Sequence, residues 1–170
     1  FVQPATKEEI KNAIFCAKEA GVPFFVMGNG SNLLVSDEGF RGMIIQIGKN
    51  FQEISVQDTV IEVQAGALLS RTARAAWNAG LTGFEFAAGI PGTTGGAVAM
   101  NAGAYGGEIK DVLLDAQVLT QDGEFLTLTA EELELSYRHS CIFDKNYVVV
   151  SARFAFEKGD ADQIRGRMDE

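Results

Sequence analysis

The sequence predicts an α+β fold: two small sheet-and-helix subdomains flanking a crevice suited to a ligand. Two observations carry this. Short apolar runs recur along the chain and are interrupted by only a few stretches with helical spacing, in the order strand end, helix, several strands, helix, loop and strands. Two glycine-rich loops, Gly28-Asn29-Gly30-Ser31-Asn32 and the longer stretch from Gly89 to Gly107, each follow an apolar segment. A length of 170 residues with 46% hydrophobic content supports an ordinary core in one domain, or in one domain with a small satellite. The expected division is a first subdomain over 1–56, a second over 57–158, and in 159–170 the start of a truncated helix leading to an absent domain.

Each element has a local reason. Thr6 is a good N-cap, and Glu9 three residues on completes a capping box. Ile10, Ala13, Ile14 and Ala17 follow at helical spacing until Gly21 stops the helix. Phe24 to Met27 reads as a short buried strand, and Leu33 to Val35, beyond the first glycine loop, as another. Asp37-Glu38-Gly39 is a turn before a strand over Met43 to Ile47. Phe51 to Val56 and Thr59 to Ala65 read as strands joined at Gln57-Asp58, with Ile61, Val63 and Ala65 on one face of the second. A helix over Leu68 to Asn78 ends at Gly80, and Trp77 is expected in the core. Val112 to Thr120 and Phe125 to Leu128 form a hairpin about Asp122-Gly123. Thr129 and Glu132 form a second capping box, expected to open a short helix holding Leu133. Tyr147 to Phe156 is the longest strand. Phe1-Val2-Gln3-Pro4 resembles the end of a strand and the stretch from Asp160 the start of a helix with little to pack on, so both ends read as cut from a longer protein.

Composition narrows the function. A net charge of −9 argues against a nucleic-acid surface, which needs a basic stripe. An anionic small ligand is still compatible, because backbone amides bind anions without net positive charge. No apolar run approaches a membrane span, and no basic-then-apolar leader opens the chain. Cys16 and Cys141 form no framework and read as reduced thiols of a cytoplasmic protein, a lone disulfide being the alternative. His139 is the only histidine, which weakens a metal centre or a histidine-based triad.

The glycines carry the chemistry. Glycine loses the most backbone entropy on folding, so a cluster of it marks either a tight backbone path or a close approach of amides to a ligand. The first loop alone reads equally as a hairpin turn or an anion nest. Both loops also carry Asn, Ser or Thr, and together they can embrace the two phosphates of a dinucleotide. There is no Walker lysine, and no helix is expected directly after the first loop, so neither the P-loop nor the Rossmann fingerprint applies.

Four segments extend this: Gly28-Asn29-Gly30-Ser31-Asn32-Leu33-Leu34, Gly89-Ile90-Pro91-Gly92-Thr93-Thr94-Gly95-Gly96, Asn101-Ala102-Gly103-Ala104-Tyr105-Gly106 and Ser136-Tyr137-Arg138-His139-Ser140-Cys141-Ile142-Phe143. In order and spacing they resemble the UDP-N-acetylenolpyruvoylglucosamine reductase family. The first two alone indicate only the broader vanillyl-alcohol-oxidase (PCMH-type) FAD-binding fold; the last two make the resemblance specific.

The resemblance implies FAD between the two subdomains, with NADPH as reductant and UDP-N-acetylglucosamine enolpyruvate as substrate, in the UDP-N-acetylmuramate dehydrogenase reaction of peptidoglycan precursor synthesis. It assigns Gly28, Asn29, Gly30, Ser31, Asn32 and Leu33 to the pyrophosphate. Pro91, Gly92, Thr93, Gly95 and Gly96 go to the pyrophosphate and ribityl side, and Asn101, Gly103 and Ala104 to the flavin. Ser31 stands where a covalent flavin attachment would need another residue, so binding is expected to be noncovalent. By the same resemblance, hydride would pass from the flavin to the enolpyruvyl methylene carbon, and Arg138 is the catalytic candidate for stabilising the resulting enolate. Outside the motif, Arg138 reads as a surface arginine. Tyr137 and Tyr105 are candidate substrate contacts or packing aromatics.

The family's proton-donating serine and catalytic glutamate lie in a C-terminal substrate domain that nothing after Phe156 matches. A monomeric FAD-binding portion, largely inactive alone, is therefore expected. Another FAD-dependent oxidoreductase of this fold is the first alternative. A flavin-free nucleotide-binding module is the second.

Overall fold

The computed structural model describes residues 1–169; Glu170, the end of the expected terminal helix segment, lies outside the described residues. The chain begins as its capping signal dictates. Thr6 accepts a hydrogen bond from the Glu9 amide at 3.1 Å, and helix α1 runs over Lys7–Glu19 with Ile10, Ile14 and Ala17 buried. Strands β1 (Phe24–Met27) and β2 (Met43–Gln46) pair in parallel, and Val2 bridges to Ile45 on the other side of β2. Helix α1 packs on β2.

Strands β3 (Ile54–Gln57) and β4 (Val60–Gln64) form a hairpin whose turn holds Asp58 at φ +54°. Helix α2 (Leu69–Asn78) closes at Gly80, φ +65°, and β5 is Leu81–Thr82. Then come α3 (Thr94–Ala99), β6 (Gly103–Ala104), β7 (Gly107–Glu108), β8 (Leu113–Leu119) and β9 (Phe125–Thr129). Helix α4 (Cys141–Lys145), β10 (Val148–Ala155), β11 (Glu157–Lys158) and α5 (Ala161–Met168) complete the described chain. An antiparallel sheet of order β3-β4-β10-β8-β9 forms the larger layer. The expected boundary at 56/57 cuts β3, which belongs wholly to this sheet.

The two sheets are held close by α1. Gly123, at φ +83° in the β8–β9 turn, lies against the Phe15 ring so tightly that a Cβ would sit 2.6 Å from it, and Lys18 donates to the Gln121 carbonyl at 2.6 Å. One buried cluster runs from Ile10 and Ile45 through Ile61 and Val63 to Ala152 and Phe154.

Several expectations need correction. Leu33 to Val35 is not a strand: all three residues are exposed, Leu34 fully (102%), and among the described residues they pair with no strand. Apolarity cannot supply the partner edge that a strand needs. Strand β1 is only half-buried, because one face looks into a cleft. Thr129 and Glu132 exchange their capping bonds, yet only a turn over 130–134 follows, since Glu134 at φ +52° ends it. Leu133 is buried all the same.

The glycine-rich stretch, read as a loop, contains α3. Two helical glycines cost about 1 kcal/mol each in propensity. Here a Cβ on Gly95 would meet Ala65 at 2.9 Å, so its absence lets α3 lie close on β4 and β10. Helix α4, unforeseen, is capped by the buried Ser140. Finally, α5 does have a surface to pack on: Ile164 is 1% exposed, and Trp77, half-buried rather than core, donates to the Ala161 carbonyl at 2.9 Å.

Candidate functional site

A cleft of about 970 Å³ opens between β1 and the face formed by α3, α4 and β10. The first glycine loop lies along it. Gly30 takes φ +72°, and among the described residues none of the N–H groups of Gly28 to Asn32 donates to a protein acceptor. The Leu33 amide differs, being spent on the Gly30 carbonyl at 3.2 Å. Backbone amides left free in such a turn form a concavity for an anion.

The second loop meets the first. A Cβ on Gly28 would overlap the Thr93 hydroxyl, so glycine is what permits the approach. Asn29 donates its side-chain amide to the Pro91 carbonyl at 3.3 Å, and Asn32 reaches Met100 Sδ at 3.3 Å. Leu69 donates to the Gly92 carbonyl and Thr94 to the Ala67 carbonyl, which pins the backbone of 92–94. The amides of Gly92, Thr93 and Gly96 stay without protein acceptors among the described residues.

All of Gly28, Asn29, Gly30, Ser31, Asn32, Leu33, Pro91, Gly92, Thr93, Gly95, Gly96 and Gly103 line the cleft, as does Arg138. Ala104, Tyr105 and Tyr137 line a second cavity of about 340 Å³, which shares Gly103 and Arg138 with the first. Two tight turns build this smaller cavity. Tyr105 (φ +51°) and Gly106 (φ +84°) form the two-residue turn between β6 and β7, the double-positive geometry that hairpins prefer. Ser136 and His139 exchange two backbone hydrogen bonds, 3.0 and 3.2 Å, around Tyr137 and Arg138. Arg138 sits at φ +55° and donates to the Gly103 carbonyl at 2.9 Å. Tyr105 and Tyr137 are 84% and 82% exposed, so neither packs into the core.

Asn101 lines neither cavity. It is 1% exposed, and its side-chain amide is engaged within the protein. Glu108 beside it is held below the usual carboxylate range by hydrogen bonds from Lys110 and then Asn101.

The far end of the cleft went unread in the sequence. Lys18 of α1, Phe24 and Phe25 of β1, Gln121 at the β8–β9 tip, and Asn146 and Tyr147 after α4 converge there. They come from four separate segments and form no motif, so only the topology brings them together.

A family model described as an FAD binding domain matches residues 1–129. The chain belongs to the FAD binding domain family. A UDP-N-acetylenolpyruvoylglucosamine reductase from Clostridium botulinum (strain Eklund 17B / Type B) is 50% identical over 170 residues, 100% of this chain and 56% of that protein. One from Latilactobacillus sakei subsp. sakei (strain 23K) is 52% identical over 167 residues, 98% of this chain and 55% of that protein. The chain thus spans about half the length of the curated relatives it matches.

Among solved structures, the UDP-N-acetylenolpyruvylglucosamine reductase of Thermus caldophilus superposes with a TM-score of 0.82 at 37% identity, covering 98% of this chain and 59% of that one. The Physcomitrella patens BBE-like 1 protein gives 0.74 at 24% identity over 93% of this chain and 36% of its own, a likeness of fold. An α+β FAD binding domain of the PCMH type is the architecture these comparisons share with the chain.

Proposed function

We propose that this chain is the FAD-binding portion of an NADPH-dependent reductase acting on UDP-N-acetylglucosamine enolpyruvate, in peptidoglycan precursor synthesis. One observation carries the reading: a guanidinium, Arg138, stands where the large cleft and the tyrosine-lined cavity meet. Relatives at about half identity over the whole chain, named as that reductase, support it.

The residues fit FAD. Free amides of Gly28 to Asn32 and of Gly92, Thr93 and Gly96 suit a pyrophosphate, and glycine is required where the two loops touch. Apolar groups of Phe24, Val26, Ile142 and Val148 give the cleft walls for planar rings. Bound FAD supplies a two-electron carrier between a nicotinamide and the substrate.

The Arg138 guanidinium has N–H groups beyond the one given to Gly103, so it can grip the substrate carboxylate as charge builds beside it. Preorganised donors of this kind stabilise a transition state by about 3–4 kcal/mol. Tyr105 and Tyr137 are the substrate contacts in this reading, supported by their exposure and by the smaller cavity they line with Arg138.

In this reading the proton-donating serine and the glutamate implied by the resemblance lie outside the chain, which spans about half the length of its relatives, and the 170-residue chain binds FAD noncovalently and as a monomer but turns over poorly. Its two thiols, Cys16 and Cys141, are free, which suits a cytoplasmic enzyme. No helix among the described residues is long and apolar enough to cross a membrane.

The test is twofold. Titration with FAD should perturb the flavin absorbance, and an unchanged spectrum refutes binding. In the full-length enzyme, Arg138→Ala should lower kcat by about 100- to 1000-fold. A near-normal rate removes Arg138 from the reaction.

A further inference from the structure

The turns that carry Tyr105 and Arg138 are tied together by one buried side chain. Asn101 follows α3, at φ +43°, and is 1% exposed. Its Nδ2 donates to Glu108 Oε2 and to the Ser136 carbonyl, each at 2.9 Å, and its Oδ1 accepts from the Lys110 amide at 2.9 Å. Glu108 lies on β7, the strand after the Tyr105-Gly106 turn, and Ser136 opens the turn that holds Tyr137 and Arg138. Both Nδ2 hydrogens are thereby committed, so this amide has no donor left to offer a flavin.

We propose that Asn101 is a positioning residue for Arg138, bridging the β6–β7 hairpin to the Ser136–His139 turn so that the guanidinium is held over the junction of the two cavities. The proposal rests on the reading of Arg138 given above. Three features make asparagine specific here. A short amide tolerates the left-handed backbone. It donates twice and accepts once across a gap of three segments. Aspartate would keep only the bond from Lys110 and would set a second carboxylate against Glu108. Arg138, in turn, donates to the Gly103 carbonyl on β6, a second tie between the two hairpins.

The experiment uses the full-length enzyme with Asn101→Asp, which keeps the shape, and Asn101→Gly, which keeps the left-handed backbone but removes the bridge. FAD affinity and the rate at which NADPH bleaches the flavin absorbance are expected to be unchanged in both. The rate at which the enolpyruvyl substrate restores that absorbance is expected to fall by up to about a hundredfold, the scale of a displaced reacting group. Independently of turnover, amide exchange in segment 136–140 should quicken by about tenfold while β4 and β10 stay protected, because two buried hydrogen bonds are lost locally.

A folded Asn101→Asp enzyme with full reoxidation and unchanged exchange overturns the proposal, as does a variant in which both flavin rates fall together. Failure of the underlying reading looks different: the wild type does not reoxidise with the substrate, or Arg138→Ala reoxidises at the wild-type rate.

Discussion

A single methyl group sets how closely the two glycine loops approach. At Gly28 a Cβ would overlap Thr93 Oγ1 and lie 3.2 Å from both Thr93 Cβ and Cγ2. Gly28→Ala is therefore expected to destabilise the fold by about 1–3 kcal/mol, as overpacking does, and to weaken FAD binding. Adding Thr93→Ala removes the hydroxyl and Cγ2 and should restore most of both losses. Urea melts and FAD titrations of the single and double variants measure it; a Gly28→Ala protein that melts and binds like the wild type contradicts the close-approach account. The sequence showed Gly28 and Thr93 as members of two loops, because local glycine clusters are visible in one dimension. It did not show that these two meet, since their contact depends on the whole intervening topology. Asn101 was visible as part of a motif, but its hydrogen bonds run inward to Glu108, Lys110 and Ser136, which no spacing rule announces.

Helix α5 is the element whose docking the sequence concealed, because its eight residues carry only one deeply buried apolar contact, Ile164. The rest of its attachment is polar. Arg167 pairs with Glu85 at 2.9 Å and donates to Thr82 at 2.9 Å, and Arg165 lies over the Trp77 ring. Burial alone would raise the Glu85 carboxyl, but hydrogen bonds from the Thr82 hydroxyl and the Gly83 amide, together with Arg167, hold it below the usual 4.5. The ionised form is thus favoured in the folded state. Its contribution is fully present above the unfolded value and disappears as the pH falls through the lower folded value. Acidification below about 4.5 is expected to loosen α5 first. Trp77 is the only tryptophan, so its fluorescence reports this docking directly. Glu85→Gln should remove the acid-dependent step, and an unaltered fluorescence profile in that variant would count against the latch. Ile164→Ala is expected to cost about 2–5 kcal/mol by leaving a cavity under the helix. The same limit on local reading explains α3, where packing against Ala65 overrides glycine propensity, and 33–35, where apolar residues find no strand edge.

At the scale of the molecule, the cleft is made by parts that only the complete fold brings together: the β1–β2 layer with its loop on one side, α3, α4 and β10 on the other, and α1 bracing the β8–β9 tip. The α+β class was legible because alternating and helical periods are local properties. The far end of the cleft was not, because Lys18, Gln121 and Asn146 share no motif. A cofactor gripped by both sides binds the folded state and not the unfolded chain, so it must stabilise the whole unit. At free FAD of about 100 times Kd the gain is about 2.7 kcal/mol. For a chain of 170 residues that corresponds to a rise in Tm of about 5–10 °C. The shift should grow with the logarithm of FAD concentration, and it should shrink in Gly28→Ala, whose loops cannot close on each other. A calorimetric series across FAD concentrations measures both effects. A Tm that rises equally in the wild type and in Gly28→Ala would mean that the ligand is held somewhere other than between the two loops.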